Sequence, residues 1–150
     1  MENWPKISLE TRKEYKMCFG CGDSNPIGLK LKFKWDGRTA RAEFTAAEIH
    51  QGWSGYVHGG ITSCVLDEAM GWTAMYAGYN NVTAKMQTRF RRMIPIGETC
   101  LVSCSIARQT SRLIETEAKI TSGDGTVYAE ATSTQFIISR RKEEIQKNER

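Results

Sequence analysis

The stretch at residues 59–79 predicts a long helix that is apolar on almost every side and contains two charged side chains, Asp67 and Glu68. Gly59 begins it, and Gly78, together with the two asparagines that follow, predicts its end. A helix with so little polar surface must be covered nearly all round. We therefore expect the rest of the chain, or a second subunit, to wrap this helix.

Alternating and β-rich runs on both sides of the helix predict strands. Residues 29–35 alternate apolar side chains with lysines, and residues 39–45 return after an Asp36-Gly37 turn. Short connections after the helix favour an antiparallel meander, whose predicted strands are residues 82–90, 98–109, 113–121 and 127–138. The chain is therefore predicted to be an α+β domain with an antiparallel sheet of about six strands around one central helix.

The length and composition indicate one domain at residues 18–138, after an extension at 1–17 with a short helix from residue 8. A charged tail is expected at 139–150. The net charge of +4 favours an anionic ligand without requiring nucleic acid. No apolar run approaches the ~20 residues of a membrane span, and five cysteines in a chain without a signal segment favour a reduced, cytoplasmic protein.

The first turns of the helix contain the candidate catalytic groups. Unpaired backbone amides there favour negative charge, so Gly59 and Gly60 could hold a carbonyl oxygen as it becomes an oxyanion. Asp67 follows two turns later, on a small-sided stripe with Ser63, and could act as a general base or as a nucleophile. Glu68 is rotated by about 100° and should face elsewhere. A turn and a solvated acid pair would explain the same pattern without chemistry.

Two motifs carry a resemblance to a known family. VHGG at residues 57–60 and LDEA at 66–69 resemble the PaaI-like group of hotdog-fold thioesterases, as do CFGCGDSNPIGL at 18–29 and the DG and AEA segments within 124–131. The resemblance covers roughly residues 18–138. It implies the hotdog fold and hydrolysis of an acyl-CoA thioester to free acid and coenzyme A without a metal or redox cofactor. It also implies a homodimer or a dimer of dimers with active sites between subunits.

The resemblance assigns site residues by their positions in these motifs. It implies that Asp67 is the catalytic acid, that the amide of Gly59 polarises the thioester carbonyl, and that His58 positions the site. It also implies that Thr83 provides a hydroxyl that helps orient water from the partner chain.

The sequence departs from the family at Gly52, where relatives often have Asn or Gln six residues before the motif histidine. Gln51 or His50 is the candidate replacement. The basic residues near the end of the first strand after the helix are candidates for binding the phosphates of coenzyme A, although a solvated strand face explains them equally. The residues expected to bind substrate are Gly60, Gln51, Ser63, Lys85, Arg89, Arg91 and Arg92.

The cysteines suggest a zinc site, but the sequence lacks a full ligand set. Cys18 and Cys21 have zinc-ligand spacing, yet no second pair follows at a suitable distance. Cys100 and Cys104 lie on a predicted strand, and Cys64 is expected to be a core residue without a base beside it. We therefore expect no metal, and small buried thiols in a turn instead.

Two function classes follow from the sequence. The first is an acyl-CoA thioesterase, and the alternative is a non-catalytic hotdog module that binds acyl-CoA or a protein partner. A hydratase on the same fold is disfavoured because its usual Asp and His pair on a catalytic loop is not visible. Nucleic acid is disfavoured because stacking aromatic side chains do not interleave with the basic residues.

Overall fold

The computed structural model describes residues 16–141, so the helix expected from residue 8 and most of the tail expected at 139–150 lie outside the described residues. One long helix and six strands follow each other in this part of the chain. In order, they are β1 (Lys34–Trp35), β2 (Thr39–Thr45), a 3-10 turn (Glu48–His50), α1 (Gly59–Tyr76), β3 (Tyr79–Phe90), β4 (Thr99–Gln109), β5 (Leu113–Thr121) and β6 (Val127–Arg140). The predicted α+β architecture is confirmed.

The strands form one antiparallel sheet in the order β1-β2-β4-β5-β6-β3. The meander is confirmed for β4, β5 and β6 but is wrong for β3, which pairs with β6 while β4 pairs with β2. The link between β3 and β4 is not a hairpin because it crosses the start of α1. There Ile94 is buried in the core, its carbonyl accepts from the amide of Val57, and Pro95 bridges to Tyr56.

The strand predicted at residues 29–35 is wrong except for its last two residues, which form β1. Leu29 and Leu31 instead donate their amides to the carbonyls of Phe19 and Gly20, at 2.8 and 2.9 Å. Lys30 between them has a left-handed backbone with φ 54°. The segment therefore pairs with the loop before it rather than with β2, while its leucines still face the protein and its lysines solvent.

The core forms where α1 packs on one face of the sheet. Val65, Leu66, Ala69 and Met70 are fully buried and pack with inward residues of β2, β4, β5 and β6. Burial of such side chains contributes roughly 1.5–3 kcal/mol each for the large ones. Among residues 16–141, no helix combines the length and the apolar character that crossing a bilayer requires.

The helix ends earlier than predicted, at Tyr76, because Gly78 adopts φ 101° and turns the chain back. The prediction that the two asparagines also end the helix is wrong, since Asn80 and Asn81 already lie in β3. This early turn starts β3 beside the last turns of α1 and leads it back along the helix.

Part of α1 is covered by the segment before β2, as well as by the sheet. Trp35 stacks on Tyr76 with ring centroids 5.5 Å apart, and the Tyr76 hydroxyl donates to the carbonyl of Phe33 at 2.9 Å. Phe33 in turn stacks on Trp72 at 6.3 Å. Residues 16–35 therefore provide some of the cover that the apolar helix needs.

The loop at residues 16–31 approaches α1 most closely at Gly20. This glycine is buried, and a Cβ there would lie 2.0 Å from Cγ of Glu68. We expect Gly20→Ala to lower the free energy of unfolding by about 1–3 kcal/mol, the usual cost of overpacking. Urea unfolding followed by circular dichroism measures the change.

Gly123→Ala is the matched control, because a Cβ at Gly123 meets no heavy atom within 4 Å. Its free energy of unfolding should change by no more than about 0.5 kcal/mol. Equal urea midpoints for the two variants would show that Gly20 is not closely packed on α1.

Candidate active site

Asp67 lies in the middle of α1 with its side chain half-buried. Its Oδ1 accepts a hydrogen bond of 2.6 Å from the hydroxyl of Thr83 on β3. Its Oδ2 has no hydrogen-bond partner within residues 16–141. Ser63 and Gly71, one turn before and one turn after, keep the same stripe of the helix small-sided. One carboxylate oxygen is thus fixed, and the other is available to a reacting group.

Thr83 was expected to serve a site in the partner chain, but here its hydroxyl contacts Asp67 of its own chain. It is supported by three buried polar side chains on β5 and β6. Gln135 Oε1 lies 3.1 Å from Thr83 Oγ1, and Gln135 Nε2 donates to Ser133 Oγ at 2.7 Å. Ser133 Oγ lies 2.7 Å from Thr116 Oγ1. Since these three residues are at most 5% exposed, each needs the partner that the chain of hydrogen bonds provides.

The charge on Asp67 sets the direction of these hydrogen bonds. An ionised carboxylate only accepts, so the Thr83 hydroxyl donates to it and is left with an oxygen that can accept. A half-turn of the Gln135 carboxamide exchanges its oxygen and nitrogen and lets its NH2 group donate to Thr83. Its oxygen then accepts from Ser133, which accepts from Thr116. All four hydrogen bonds then run toward the carboxylate and fix its orientation.

Sequence reasoning missed Gln135, Ser133 and Thr116. The sequence could have indicated them by their positions on the strands. Thr116 lies between the buried Ile114 and Ala118 on the inward face of β5. Ser133 and Gln135 likewise continue the inward face of β6. Polar side chains at successive inward positions of two paired strands indicate a buried hydrogen-bond network.

Of the two glycine amides at the start of α1, only one is free within residues 16–141. The Nδ1 atom of His58, the helix N-cap, accepts from the amide of Gly60 at 2.8 Å, so that amide is already used. The amide of Gly59 has no partner among residues 16–141, and the ring of Phe90 lies 3.6 Å from where a Cβ on Gly59 would be. Eight residues of helix separate Gly59 from Asp67, which is about 12 Å along the axis.

Gln51 and His50 are the candidates to replace the Asn or Gln side chain that relatives have at the position of Gly52. Both form hydrogen bonds within the loop before α1. Gln51 Oε1 accepts from the amide of Gly55 at 2.6 Å, and its Nε2 donates to the carbonyl of Glu48 at 2.9 Å. His50 Nδ1 accepts from a backbone amide at 3.0 Å, and its buried Nε2 has no partner in the described chain. Gln51 therefore stabilises the loop, and a role toward substrate stays a prediction.

The basic residues expected to bind phosphates are all exposed, but one of them is already ion-paired. Lys85 and Arg89 are exposed on the outer face of the sheet, after a β-bulge just before Lys85. Arg91 forms an ion pair with Glu130 at 2.5 Å. Arg92 is exposed and has no ion-pair partner within residues 16–141. Arg92 follows Phe90 by two residues, and the Phe90 ring lies 3.6 Å from where a Cβ on Gly59 would be.

A groove of about 930 Å³ lies on the outer face of the sheet. Its lining carries charges of both signs, with Arg89 and Lys119 beside Glu117 and Glu130. Asp67 does not line it, because that side chain faces the sheet from the helix side. The candidate active site is therefore separate from this groove.

Comparison with known proteins identifies the family. A sequence profile of the thioesterase superfamily matches residues 54–129, which is half of the chain and includes all of α1. A solved thioesterase superfamily protein has the same fold, with a TM-score of 0.76 and 24% identity over 81% of this chain. This chain spans 60% of that protein's length.

Bacterial structures of similar length share the fold. The E. coli PaaI protein from the phenylacetic acid degradation operon has a TM-score of 0.71 and 17% identity, with 75% of this chain and 83% of that chain covered. A hypothetical thioesterase from Streptococcus pneumoniae TIGR4, solved with coenzyme A, has a TM-score of 0.71 and 17% identity, with 75% and 91% covered.

The S. pneumoniae protein was also solved with one aspartate and with one threonine changed to alanine. Those two positions are 16 residues apart, the same separation as Asp67 and Thr83 in this sequence. The profile match covers half of the chain, and the shared architecture extends over most of the rest. The chain therefore belongs to the thioesterase superfamily and has the PaaI-like hotdog fold.

Proposed function

We propose that this protein is an acyl-CoA thioesterase in which Asp67 activates the attacking water. The observation that carries the proposal is the hydrogen bond from Thr83 to Asp67 Oδ1, which leaves Oδ2 free at a half-buried position of α1. A fixed carboxylate with one free oxygen is suited to take a proton from water. The 16-residue spacing shared with the residues mutated in the S. pneumoniae thioesterase supports the same pair.

The proposed reaction uses a carboxylate and a backbone amide of the protein, the thioester and one water molecule. Asp67 takes a proton from water as the water oxygen attacks the thioester carbonyl carbon. The resulting tetrahedral oxyanion is stabilised by backbone N–H donors. It collapses with cleavage of the carbon–sulfur bond, and the leaving thiolate of coenzyme A receives the proton that Asp67 took, which restores the carboxylate. The products are a free acid and coenzyme A.

The oxyanion donor in this proposal is the amide of Gly59 at the start of α1. A donor must lie about 2.7–3.1 Å from the oxyanion, whereas Gly59 and Asp67 of one chain are about 12 Å apart along the helix. One carbonyl therefore cannot contact both groups of the same chain. A second copy, packed with its helix antiparallel to the first, would bring the partner subunit's Gly59 to Asp67.

The surface around the start of α1 supports a dimer of this kind. Apolar side chains that are 39–81% exposed cluster in sequence just before α1 and just after β3; they are Ile49, Trp53, Tyr56, Phe90 and Met93. Exposed apolar residues grouped in this way mark interaction sites. We infer that part of this surface lies between two subunits and that part binds the acyl chain.

Coenzyme A is the proposed leaving group because the S. pneumoniae protein of this fold was solved with it. Arg92 is the cation proposed to bind its phosphates, since it is exposed, is not ion-paired within residues 16–141 and follows Phe90 by two residues. Lys85 and Arg89 lie on the outer face of the sheet, away from Asp67. They would therefore contact the phosphates of coenzyme A bound at the active site of another subunit in a larger assembly. The alternative, a module that binds acyl-CoA without cleaving it, keeps the same site but gives no turnover.

Replacing the acid tests the chemistry. We expect Asp67→Asn to lower kcat by about 100- to 10,000-fold, the range of general-base contributions, because an amide cannot take the proton. Release of free thiol from a panel of acyl-CoAs measures the rate. Glu43→Gln, at an exposed site on β2, is the control and should keep full activity.

Full activity in Asp67→Asn would contradict the mechanism. Tight binding of acyl-CoA by the native protein, without thiol release from any member of the panel, would favour the binding module instead.

Replacing the amide at Gly59 tests the oxyanion site. Gly59 is the first residue of α1, where proline is tolerated, and His58 before it is extended, as proline requires. Gly59→Pro therefore removes the N–H while keeping the helix. We expect kcat to fall by about 100- to 1,000-fold.

Gly59→Ala is the matched control, since its Cβ would make an ordinary contact with the Phe90 ring at 3.6 Å and the N–H remains. Equal activities of the alanine and proline variants would exclude this amide as the donor.

Replacing the hydroxyl at Thr83 tests how the acid is positioned. Thr83→Val keeps the shape but removes the donor, and we expect kcat to fall about 10- to 100-fold, as for loss of a hydrogen bond to a charged group. Thr83→Ser keeps the hydroxyl and should retain most of the activity. Thiol-release assays across pH compare the two, and equal loss in both variants would show that packing, not the hydroxyl, matters.

A further inference from the structure

A second cluster of reactive side chains lies on another face of α1. Cys18, Cys21 and Glu68 each offer one ligand atom, and these atoms lie within 4.8 Å of one another. The thiol of Cys18 donates to Glu68 Oε1 at 3.2 Å. All three side chains are half-buried. The sequence analysis identified the two thiols but no third ligand. The fold places Glu68 beside them, although it lies 47 or more residues away along the chain.

The loop is shaped to admit Glu68. The amide of Gly22 donates to the carbonyl of Cys18 at 2.8 Å, which closes a tight turn with both thiols on one side. Gly20 lies in that turn, directly over the Glu68 side chain, where a Cβ would come within 2.0 Å of it. Only a residue without a side chain allows the carboxylate to reach both sulfur atoms.

The cluster lacks a cation among the described residues. Glu68 has no ion-pair partner within residues 16–141, although it is half-buried. A half-buried carboxylate without a cation beside it, close to two thiols, offers oxygen and sulfur ligands to a metal ion.

We propose that Cys18, Cys21 and Glu68 bind a divalent metal ion of the zinc class. Two cysteines separated by two residues have the spacing of zinc ligands, and zinc accepts sulfur and carboxylate oxygen ligands in one tetrahedral site. Calcium and magnesium prefer sites made only of oxygen, so the thiols disfavour them. A fourth ligand, such as water, can enter because the three side chains are only half-buried.

The bound metal would join the loop at residues 16–31 to the middle of α1. Structural metals contribute to folding because their ligands are brought together only in the native state. Glu68 adjoins Asp67 in sequence, so the metal would also restrain the part of α1 that carries the proposed catalytic acid. This metal site is independent of the proposed hydrolase chemistry, and either can fail without the other.

Cobalt(II) is a suitable probe because its visible and ultraviolet spectra report tetrahedral geometry and bonds to thiolate. We expect the full-length, reduced protein to bind one Co²⁺ per chain with a thiolate-to-cobalt absorption, and Zn²⁺ to displace it. Cys18→Ser and Cys21→Ser should lose this absorption. Glu68→Ala should weaken binding by more than about 10-fold, since even residues that only orient metal ligands contribute about 10- to 100-fold.

Cys100→Ala is the control, because it removes a buried thiol of β4 that lies outside the cluster, and it should bind Co²⁺ like the native protein. Circular dichroism checks that each variant is folded. Addition of Zn²⁺ should raise the Tm of the native protein but not that of Cys21→Ser. Failure of the reduced native protein to take up Co²⁺ or Zn²⁺, or unchanged uptake by folded Cys21→Ser, would overturn the proposal.

Discussion

The structure depends on the burial of α1 against one face of a single six-stranded sheet. Leu66 and Met70 are fully buried in this contact, and the strands before and after the helix are arranged around it. The same burial places Asp67 among apolar side chains. A carboxylate between such side chains needs specific partners, and Thr83 with the hydrogen-bonded side chains behind it provides them. One packing contact thus fixes both the fold and the orientation of the candidate acid.

Most of the fold follows from local sequence patterns. The apolar stretch after Gly59 predicts α1, and alternation predicts the strands, because both patterns depend on nearest neighbours along the chain. The pairing of β3 with β6 could not be predicted in this way, because it depends on where residues 91–98 cross the core. The path of residues 29–31 was missed for a similar reason, since their partners are backbone groups of Phe19 and Gly20.

The candidate sites also contain some residues that the sequence predicts and others that only the fold reveals. Asp67 and Gly59 could be selected from motif chemistry, whereas Gln135 and Glu68 could not, because their roles arise only when distant segments meet. Gln135 reaches Thr83 across β6 and β3, and Glu68 reaches the cysteine turn because Gly20 leaves room for it. The two faces of α1 thus hold different chemistry: a hydrogen-bonded carboxylate on one, and a carboxylate with two thiols on the other.

We propose that each active site combines Asp67 of one chain with the partner subunit's Gly59. Mixing Gly59→Pro chains with Asp67→Asn chains, and allowing subunits to exchange, tests it directly. In a mixed dimer of two-fold symmetry, one site has both groups intact and the other has neither. Random pairing of equal amounts should therefore restore about a quarter of the native thioesterase activity. A mixture no more active than the separate variants would contradict the shared site.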